Sequence, residues 1–472
     1  MVRRSFSVGK GDSKSLKVNR NTSRRSLLVL PVLLVLGALT VLLVLRMEGK
    51  PPIVALTLDS PALGANQTLP LQVEDGKSGL RNVAVSLLKD GQEIALLDKT
   101  YPAAGIFRGG AVREDVLSIS FEPIAKSVKD GKGVLRIAVR DFSWRQWGKG
   151  NVFYEEHEVI IDTRPPMIDV LSRANYFAQG GAGLVIYKVS EECRSSGVYI
   201  GEHFYAGVSG QFGDPNIYMA MVAVDYRLGP GTPVHVTATD LAGNQNRIGL
   251  PNLINARRFK KDQLPISDSF LDWKMAEFVP QLDLAPGVSN LEIFLKVNSD
   301  LRRLNEAAIV RLTQQSDPKI YWEGEFLRLP AAAPRAGFAD HRTYLYKGKI
   351  IDEQTHMGID LASLERAPVP ASNTGKVVFS DNLGIYGATV LIDHGMGLFS
   401  TYSHLSEMTV TPGQMVKKGE IVGRTGITGM AGGDHLHYGM LVRHTWVNPI
   451  EWWDAQWIVN NISAKIEAVK QP

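Results

Sequence analysis

The stretch GGDHLHYG, residues 432–439, alternates like a β-strand and decides the fold expected for the C-terminal part of the chain. Its two histidines, His435 and His437, fall on one face, because successive side chains of a strand point to opposite faces. They would lie about 6.6 Å apart along the strand, which fits one metal ligand beside a second imidazole. A histidine pair alone is also common on surfaces and in cores, so its interpretation depends on the rest of the chain.

Other residues of the metal-binding types lie upstream of this strand. Seven of the ten histidines fall within residues 341–444, and one of them begins the motif HMGID at residues 356–360. Imidazole and carboxylate suit zinc, and catalytic zinc takes three protein ligands while a fourth position holds water. His356, Asp360 and His437 would form such a His-Asp-His set around one Zn²⁺.

The spacing within HMGID requires a bend in the backbone. In an extended strand His356 and Asp360 would lie roughly 13 Å apart, whereas zinc holds each ligand atom within about 2 Å. No helical period surrounds the motif, so it differs from the helical HExxH site. Gly358 is the residue expected to allow the bend.

These motifs together resemble those of the lysostaphin-like (LytM-type) zinc metallopeptidases, which cut peptide bridges in bacterial peptidoglycan. The resemblance covers roughly residues 340–453 and rests on the order and spacing of four segments: HMGID, IDHGMGLFSTYSHLS, VKKGEIVGRTGITGMAGGDHLHYGM and VNP. It implies an antiparallel sheet with a metal on the floor of a groove. It also implies two sets of site residues: the zinc ligands His356, Asp360 and His437, and the catalytic histidines His404 and His435.

The two catalytic histidines would take the place of a glutamate base, which this motif set lacks. Histidine titrates near neutral pH. His404 and His435 would flank the zinc-bound water, where one accepts its proton and either hydrogen-bonds the developing oxyanion. The sequence leaves these two roles unassigned. Three nearby acidic residues are candidates for orienting the ligand imidazoles: Asp352, Glu353 and Asp434.

The net charge of +4 arises from the N-terminus. Residues 1–25 carry eight Lys/Arg and one acidic residue, whereas the rest carries 44 basic and 47 acidic residues. The nearly equal numbers of basic and acidic residues after residue 25 give no support for nucleic-acid binding. The single cysteine, Cys193, has no partner in the chain for a disulfide and is expected to behave as a small hydrophobic residue.

Residues 27–45 form an apolar run of 19 residues, long enough to span a bilayer. The basic N-terminal flank places the N-terminus in the cytoplasm and the bulk of the chain outside. A cleaved signal peptide is the alternative, but its apolar region would be shorter and would precede a small-x-small site. The run ends in Val-Leu-Arg-Met. An uncleaved single-pass anchor in the cytoplasmic (inner) membrane is therefore predicted, with the C-terminal bulk in the periplasm or extracytoplasmic space.

The region after this run is predicted to be β-structure. Short alternating runs, such as residues 83–87 and 134–139, are separated by Gly, Asp and Asn turns. The chain also echoes itself, because IAVRD at residues 137–141 resembles VTATD at residues 236–240. This internal similarity fits two consecutive β-sandwiches that look like bacterial immunoglobulin-like modules. A single larger β domain is the alternative.

A helical spacer is predicted before the HMGID region. Ser267 offers an N-cap, and apolar residues recur near the helical period from Asn290 to Gln314. As a hypothesis, the spacer covers the catalytic groove until a partner moves it, because an enzyme that can lyse its own cell wall needs control.

The expected fold is mostly β and multidomain: an N-terminal transmembrane helix, one or two immunoglobulin-like β-sandwiches, a helical spacer and a C-terminal antiparallel-β metallopeptidase domain. The predicted segments are a basic cytoplasmic tail (1–25), the anchor (26–46), sandwiches (50–163 and 165–250), the spacer (256–330), the LytM-type zinc peptidase domain (335–455) and a C-terminal tail (456–472).

The leading functional hypothesis is a membrane-anchored zinc endopeptidase that hydrolyses peptide cross-links or stem peptides of peptidoglycan. Its partners would be the peptidoglycan peptide and the membrane, and a regulatory protein is left open. The alternative is a non-catalytic cell-wall-binding or amidase-activating protein that retains the fold. A third hypothesis, an adhesion or scaffold protein that works through its β modules, does not account for the full set of histidines.

Overall fold

The computed structural model describes residues 26–105 and 107–470, and the predicted basic tail, residues 1–25, lies outside them. The chain divides into two compact units, Met1–Thr163 and Arg164–Pro472. Strands dominate both units, so the prediction of a mostly β, multidomain chain is confirmed. The finer division into seven segments stays a prediction.

The N-terminal helix Ser26–Arg46 contains the apolar run. Its residues Val29–Arg46 have a mean hydropathy of 2.6, and only 6% of this stretch is buried. The helix is therefore long and apolar enough to cross a membrane, and its exposed side chains distinguish it from the core helix of a globular domain.

The first unit continues as two sheets packed face to face. One has the strand order Ile53–Leu56, Gln67–Glu74 and Glu114–Phe121; the other has the order Ala62–Leu63, Val152–Ile161, Gly131–Asp141, Leu80–Lys89 and Gln92–Thr100. A short hairpin, Ala103–Gly105 with Gly109–Gly110, and the turn Arg145–Gly148 complete the unit. In the strand Leu80–Lys89 every second side chain points into the core between the sheets. Val83, Val85 and Leu87 are fully buried, whereas the residues between them are not.

A second set of strands opens the second unit and forms sheets separate from those of the first. Its sheets have the orders Ile168–Val170, Ala182–Val189 and Ile217–Ala223; His203–Ala206, Cys193–Ile200, Val234–Asp240 and Gln245–Gly249; and Asn175–Ala178 with Asn252–Asn255. The aspartates that end the two similar stretches, IAVRD and VTATD, make equivalent hydrogen bonds. Asp141 accepts hydrogen bonds from Asn151, and Asp240 accepts them from Asn244. Each closes the loop after a central strand. The immunoglobulin-like assignment stays a prediction.

The segment expected to be a helical spacer begins with a strand. Lys261–Ile266 pairs in parallel with Asp340–Tyr346, which in turn pairs with Lys349–His356. No local sequence pattern predicts this pairing across about eighty residues. The remaining elements are helical as expected: Asp268–Lys274, Met275–Glu277, Val279–Gln281, Asn290–Lys296, the π-turn Val297–Leu301 and Arg302–Leu312. Ser267 caps the first of them by accepting a hydrogen bond from the Phe270 N–H.

The C-terminal region contains an eight-stranded sheet that carries the site. Its spatial order is Ala333–Ala336, Ile359–Ala362, Leu436–Val442, Leu398–Leu405, Ala388–Asp393, Gly375–Asn382 and Met415–Val416, with Thr445–Val447 pairing to Leu436–Val442. A smaller sheet has the order Pro368–Pro370, Ile421–Arg424 and Glu407–Met408. All strand pairs within these two sheets are antiparallel, as the resemblance implies.

The residues expected to form a C-terminal tail are largely helical. The chain ends in Pro449–Trp453, Ala455–Ile458, the π-turn Val459–Ser463 and Ala464–Lys470. Lys465 Nζ donates to the Leu184 carbonyl at 2.9 Å, and the Ala182 N–H donates to the buried Glu451 carboxylate at 2.9 Å. These buried polar contacts join the end of the chain to the second set of sheets.

Candidate active site

Strand register places Asp360 and His437 side by side. The strands Ile359–Ala362 and Leu436–Val442 are neighbours, and Asp360 lies directly opposite His437. Directly opposite residues in an antiparallel pair point to the same face. His437 Nδ1 lies 2.9 Å from Asp360 Oδ1, and both residues are buried.

His356 completes a cluster of three donor atoms. It ends the strand Lys349–His356, and the chain turns at residues 357–358 before the next strand begins. Its Nε2 lies 3.0 Å from Asp360 Oδ1 and 2.9 Å from His437 Nδ1. The bend expected within HMGID is therefore present, and the three side chains are grouped closely enough to hold one metal ion.

Gly358 is needed for a different reason from the one expected. Its φ lies outside the left-handed region that favours glycine. A Cβ at this position would instead lie 2.6 Å from the imidazole of His437. The glycine therefore makes room for a ligand-type side chain, rather than supplying an unusual backbone angle.

A β-bulge points His404 into the same groove. His437 pairs with Ser403, so His404 would face the other side of a regular strand. The register shifts here, with Ser403 and His404 opposite the single residue Thr389, and His404 takes a left-handed φ of 62°. Bulges redirect side chains in this way. The His404 ring centroid lies 4.9 Å from that of His435 and 5.7 Å from that of His437.

His435 lies at the open side of the cluster. Its Nε2 is 3.5 Å from Asp360 Oδ1, and its side chain is 15% exposed, against 4% for His437. The structure thus brings all five predicted site residues into one groove: His356, Asp360, His404, His435 and His437.

Backbone carbonyls hold three of the imidazoles. Nδ1 of His356 donates to Gly337 O at 2.8 Å, Nδ1 of His404 to Thr428 O at 2.8 Å, and Nδ1 of His435 to Gly433 O at 2.7 Å. A carbonyl only accepts, so the proton of each neutral ring sits on Nδ1 and its Nε2 is a lone-pair donor.

The expectation that nearby carboxylates orient these rings is wrong. Asp352 bonds Asn298 and Gln354, and Asp434 bonds Thr425 and the Arg366 N–H. Glu353 interacts with Thr343 and His341. Backbone carbonyls orient the rings instead, because the rings lie beside turns whose carbonyl oxygens face them.

Burial and charge perturb the acid–base behaviour of the cluster. Burial, reinforced by the neighbouring imidazoles, holds the pKa of His404 well below its usual range. Burial also lowers the pKa of His437 to about 4. At His435 burial acts in the same direction, but the Asp360 carboxylate overcomes it and raises the pKa. Against the effect of burial, the surrounding imidazoles keep the pKa of Asp360 well below its usual range.

Arg342 is a site residue that the sequence did not reveal. Its Nη2 donates to Asp360 Oδ2 at 2.9 Å, leaving Oδ1 directed at the two imidazoles. No motif marks it, since its strand, Asp340–Tyr346, belongs to a different sheet from the strand of Asp360. The guanidinium therefore fixes which carboxylate oxygen faces the centre of the cluster.

We expect Arg342→Gln to lower the zinc affinity of the full chain by about 10–100-fold, as is typical when a partner of a metal ligand is removed. Competition with a chelator of known affinity measures this. The control is Arg424→Gln, which removes a surface ion pair with Glu407 in the same region. Equal affinities for the two variants would contradict the assignment.

The cluster lies in a groove of about 460 Å³. Three arginines line it, Arg302, Arg335 and Arg342, together with the aromatic residues Phe270, Phe294, Tyr344 and Tyr386. Phe270, Phe294 and Arg302 belong to the helical segment, so this segment forms part of the groove wall.

The helical segment also forms hydrogen bonds with the loop of residues 427–429, whose Thr428 carbonyl accepts from His404. Lys274 Nζ donates to Ile427 O at 2.5 Å and to Glu277 Oε2 at 2.8 Å. The Gly429 N–H donates to Glu277 Oε1 at 2.5 Å. The carbonyl between these two anchor points is that of Thr428, the acceptor for His404.

Comparison with known proteins places this region in a family. Residues 354–449 match Peptidase family M23. Over 95 residues the chain is 40% identical to the DD-carboxypeptidase/endopeptidase Mpg of Neisseria meningitidis serogroup B, covering 20% of this chain and 22% of that protein. Over 96 residues it is 40% identical to the peptidoglycan DD-endopeptidase ShyA of Vibrio cholerae, covering 20% of this chain and 22% of that protein. The chain thus spans about a fifth of the length of these relatives.

Among solved structures, the catalytic domain of lysostaphin from Staphylococcus simulans is similar. It is 27% identical, with a TM-score of 0.24, and the match covers 28% of this chain and 98% of that one. The family match, residues 354–449, includes all five clustered residues. The C-terminal part of the chain is a peptidase M23 domain of the LytM type.

Proposed function

We propose that the chain is a membrane-anchored zinc endopeptidase that hydrolyses peptide cross-links or stem peptides of peptidoglycan. One observation carries the proposal: His356 Nε2, Asp360 Oδ1 and His437 Nδ1 lie within 3.0 Å of one another at the base of a groove. His404 and His435 flank them. The retention of all five side chains disfavours the non-catalytic alternative.

The donor set fits zinc. Two imidazole nitrogens and one carboxylate oxygen form a three-ligand set of the catalytic type. Their separations are slightly shorter than the roughly 3.3 Å between donors of a tetrahedral zinc ion with bonds of about 2.0–2.1 Å. When bound, zinc would lower the pKa of a water ligand and polarise the scissile carbonyl.

Position distinguishes the two flanking histidines, because Nδ1 of each ring donates to a backbone carbonyl. Nδ1–H of His404 is committed to Thr428 O, and burial keeps this ring neutral, so its Nε2 can only accept a hydrogen. We therefore assign proton acceptance from the attacking water to His404. We assign to His435, which lies at the open side of the cluster with Nε2 3.5 Å from Asp360 Oδ1, the hydrogen bond to the oxyanion that develops on the substrate, donated from Nε2 when the ring is protonated.

The groove suits an anionic peptide. Its three arginines offer donors to carboxylates of a stem peptide, and its aromatic residues offer apolar contact along an extended chain. The matched relatives carry the names DD-carboxypeptidase/endopeptidase and DD-endopeptidase. On this basis we propose a D,D peptide bond as the one cut.

The end of the N-terminal helix supports an uncleaved anchor. Arg46, its last residue, is buried within the first unit, and Glu48 accepts hydrogen bonds from the N–H and hydroxyl of Ser78. Cleavage after these residues would leave buried polar groups without partners. Retention of the helix therefore stabilises the domain that follows it.

Purified full chain in detergent, incubated with cross-linked muropeptides and followed by mass spectrometry, tests the proposal. We expect cleavage of the cross-link, loss of cleavage with a chelator, and recovery with added zinc. Chelator-resistant cleavage, or intact cross-links in the presence of zinc, would refute it.

We further propose that the helical segment orders the site in addition to lining its groove. Glu277→Ala removes the acceptor of the Gly429 N–H and the partner of buried Lys274, so the Thr428 carbonyl loses its fixed position. We expect kcat to fall about 10-fold, the lower end of effects for supporting residues, with zinc content unchanged.

The control for Glu277→Ala is Glu467→Ala, which removes an exposed ion pair with Lys470. A rise in kcat for Glu277→Ala would instead favour the hypothesis that the helical segment inhibits the enzyme by covering the groove.

A further inference from the structure

The N-terminal helix runs directly into the first unit. The Arg46 guanidinium donates to Phe142 O at 2.8 Å, and the Trp144 N–H donates back to Arg46 O at 2.9 Å. Asn151 Nδ2 donates to Glu48 O at 2.9 Å. These hydrogen bonds tie the last residue of the helix and the residues after it to the first unit.

Two loops of the first unit surround this exit point. One is the loop of residues 144–149, which bonds the backbone of Arg46. The other is the hairpin of Ala103–Gly105 with Gly109–Gly110, together with Phe107 and Arg108, where a side chain at Gly109 would collide with the Arg46 guanidinium. We call these the exit loops.

Each exit loop exposes one large aromatic residue. Trp147 is fully exposed, and Phe107 is 67% exposed. Trp147 and the preceding Gln146 both have left-handed φ values, 57° and 49°. This conformation is strained for residues other than glycine. A strained loop that presents a solvent-exposed tryptophan is unfavourable in water alone and points to a surface on which the ring is covered.

The charges of the exit loops are uniformly positive. Arg108, Arg145 and Lys149 are exposed, and neither stretch 103–110 nor stretch 144–149 contains an acidic residue. Tryptophan beside lysine and arginine is the composition that favours the headgroup region of a bilayer. Each basic residue near an anionic lipid surface adds to the electrostatic attraction.

The position along the membrane normal agrees with this composition. The apolar run of 19 residues at 1.5 Å per residue spans about 28 Å, close to the roughly 30 Å thickness of the hydrocarbon core. Arg46 therefore falls at the boundary of the core, and the exit loops bonded to it fall at the depth of the phosphates and glycerol groups.

We propose that the exit loops are a lipid-docking surface that binds the headgroups of the bilayer crossed by the N-terminal helix. This rests on the proposed membrane anchoring. Trp147 and Phe107 insert at the interface while Arg108, Arg145 and Lys149 contact lipid phosphates. The docking sets the orientation of the first unit on the membrane.

Site-specific fluorescence tests the surface. In the full chain carrying Cys193→Ser, the variants Trp147→Cys and Phe107→Cys are labelled with an environment-sensitive dye. The protein is reconstituted into vesicles of phosphatidylethanolamine and phosphatidylglycerol. The control is Ile124→Cys, which is 64% exposed and lies beyond the end of strand Glu114–Phe121 opposite to the exit loops.

We expect blue-shifted emission and several-fold greater quenching by headgroup-level spin-labelled lipid at positions 147 and 107 than at position 124. Equal quenching at the three positions, with the chain retained after alkaline carbonate extraction, would overturn the docking surface alone. Release of the chain by carbonate would overturn the anchor and the docking surface together.

Discussion

Replacing His356 with alanine will abolish both tight zinc binding and cross-link hydrolysis. His356 Nε2 lies 2.9–3.0 Å from the other two donor atoms, so its loss leaves two ligands where catalytic zinc takes three. The loss of kcat/KM should exceed the roughly 10–100-fold effect of changing a supporting residue. Asp360→Asn should act similarly, because an amide oxygen carries no charge to offset that of the ion.

The measurements are zinc per chain by elemental analysis and kcat/KM on cross-linked muropeptides. The matched control is His341→Ala, a histidine of the same region whose side chain is 41% exposed and pairs with Glu353. It should bind one zinc and retain its activity. If His356→Ala kept a full zinc complement, the assignment of this ligand would be wrong.

Replacing His404 will separate catalysis from metal binding. Asparagine is the variant of choice, because it tolerates the left-handed φ of 62° that the bulge imposes. We expect His404→Asn to keep one zinc per chain and to lose about 10²–10⁴-fold in kcat, the range for removal of a general acid–base group.

A second variant makes this prediction specific to proton transfer. His404→Gly also accommodates the bulge and leaves a space the size of an imidazole. Added imidazole should restore part of the activity to His404→Gly but none to His356→Ala. Loss of zinc from His404→Asn, or activity equal to that of the wild type, would contradict the role of proton acceptor.

Local pattern was enough to predict the strands that build the sheet. The alternation of residues 432–439 predicts a strand, and the structure has the strand Leu436–Val442 there. Alternation and glycine turns are local signals, and a strand with one buried face expresses them directly. The grouping of the five site residues was predicted from the resemblance, since each occupies a motif position.

Features that depend on long-range pairing were not predictable. The turn of His404 into the groove depends on a bulge against Thr389, which leaves no mark in the local alternation. Arg342 donates to Asp360 from a strand of a different sheet. Lys261–Ile266 pairs in parallel with a strand about eighty residues away. In each case the partner, rather than the local sequence, determines the conformation.

The central claim is that one zinc ion is held by His356, Asp360 and His437. X-ray absorption at the zinc edge of the purified full chain tests it most directly. The account predicts one zinc per chain with nitrogen and oxygen neighbours at about 2.0–2.1 Å and scattering from two imidazoles in the unaltered chain, and loss of the bound zinc in His437→Ala. A sulfur neighbour at about 2.3 Å, or imidazole scattering that is unchanged in His437→Ala, would contradict it.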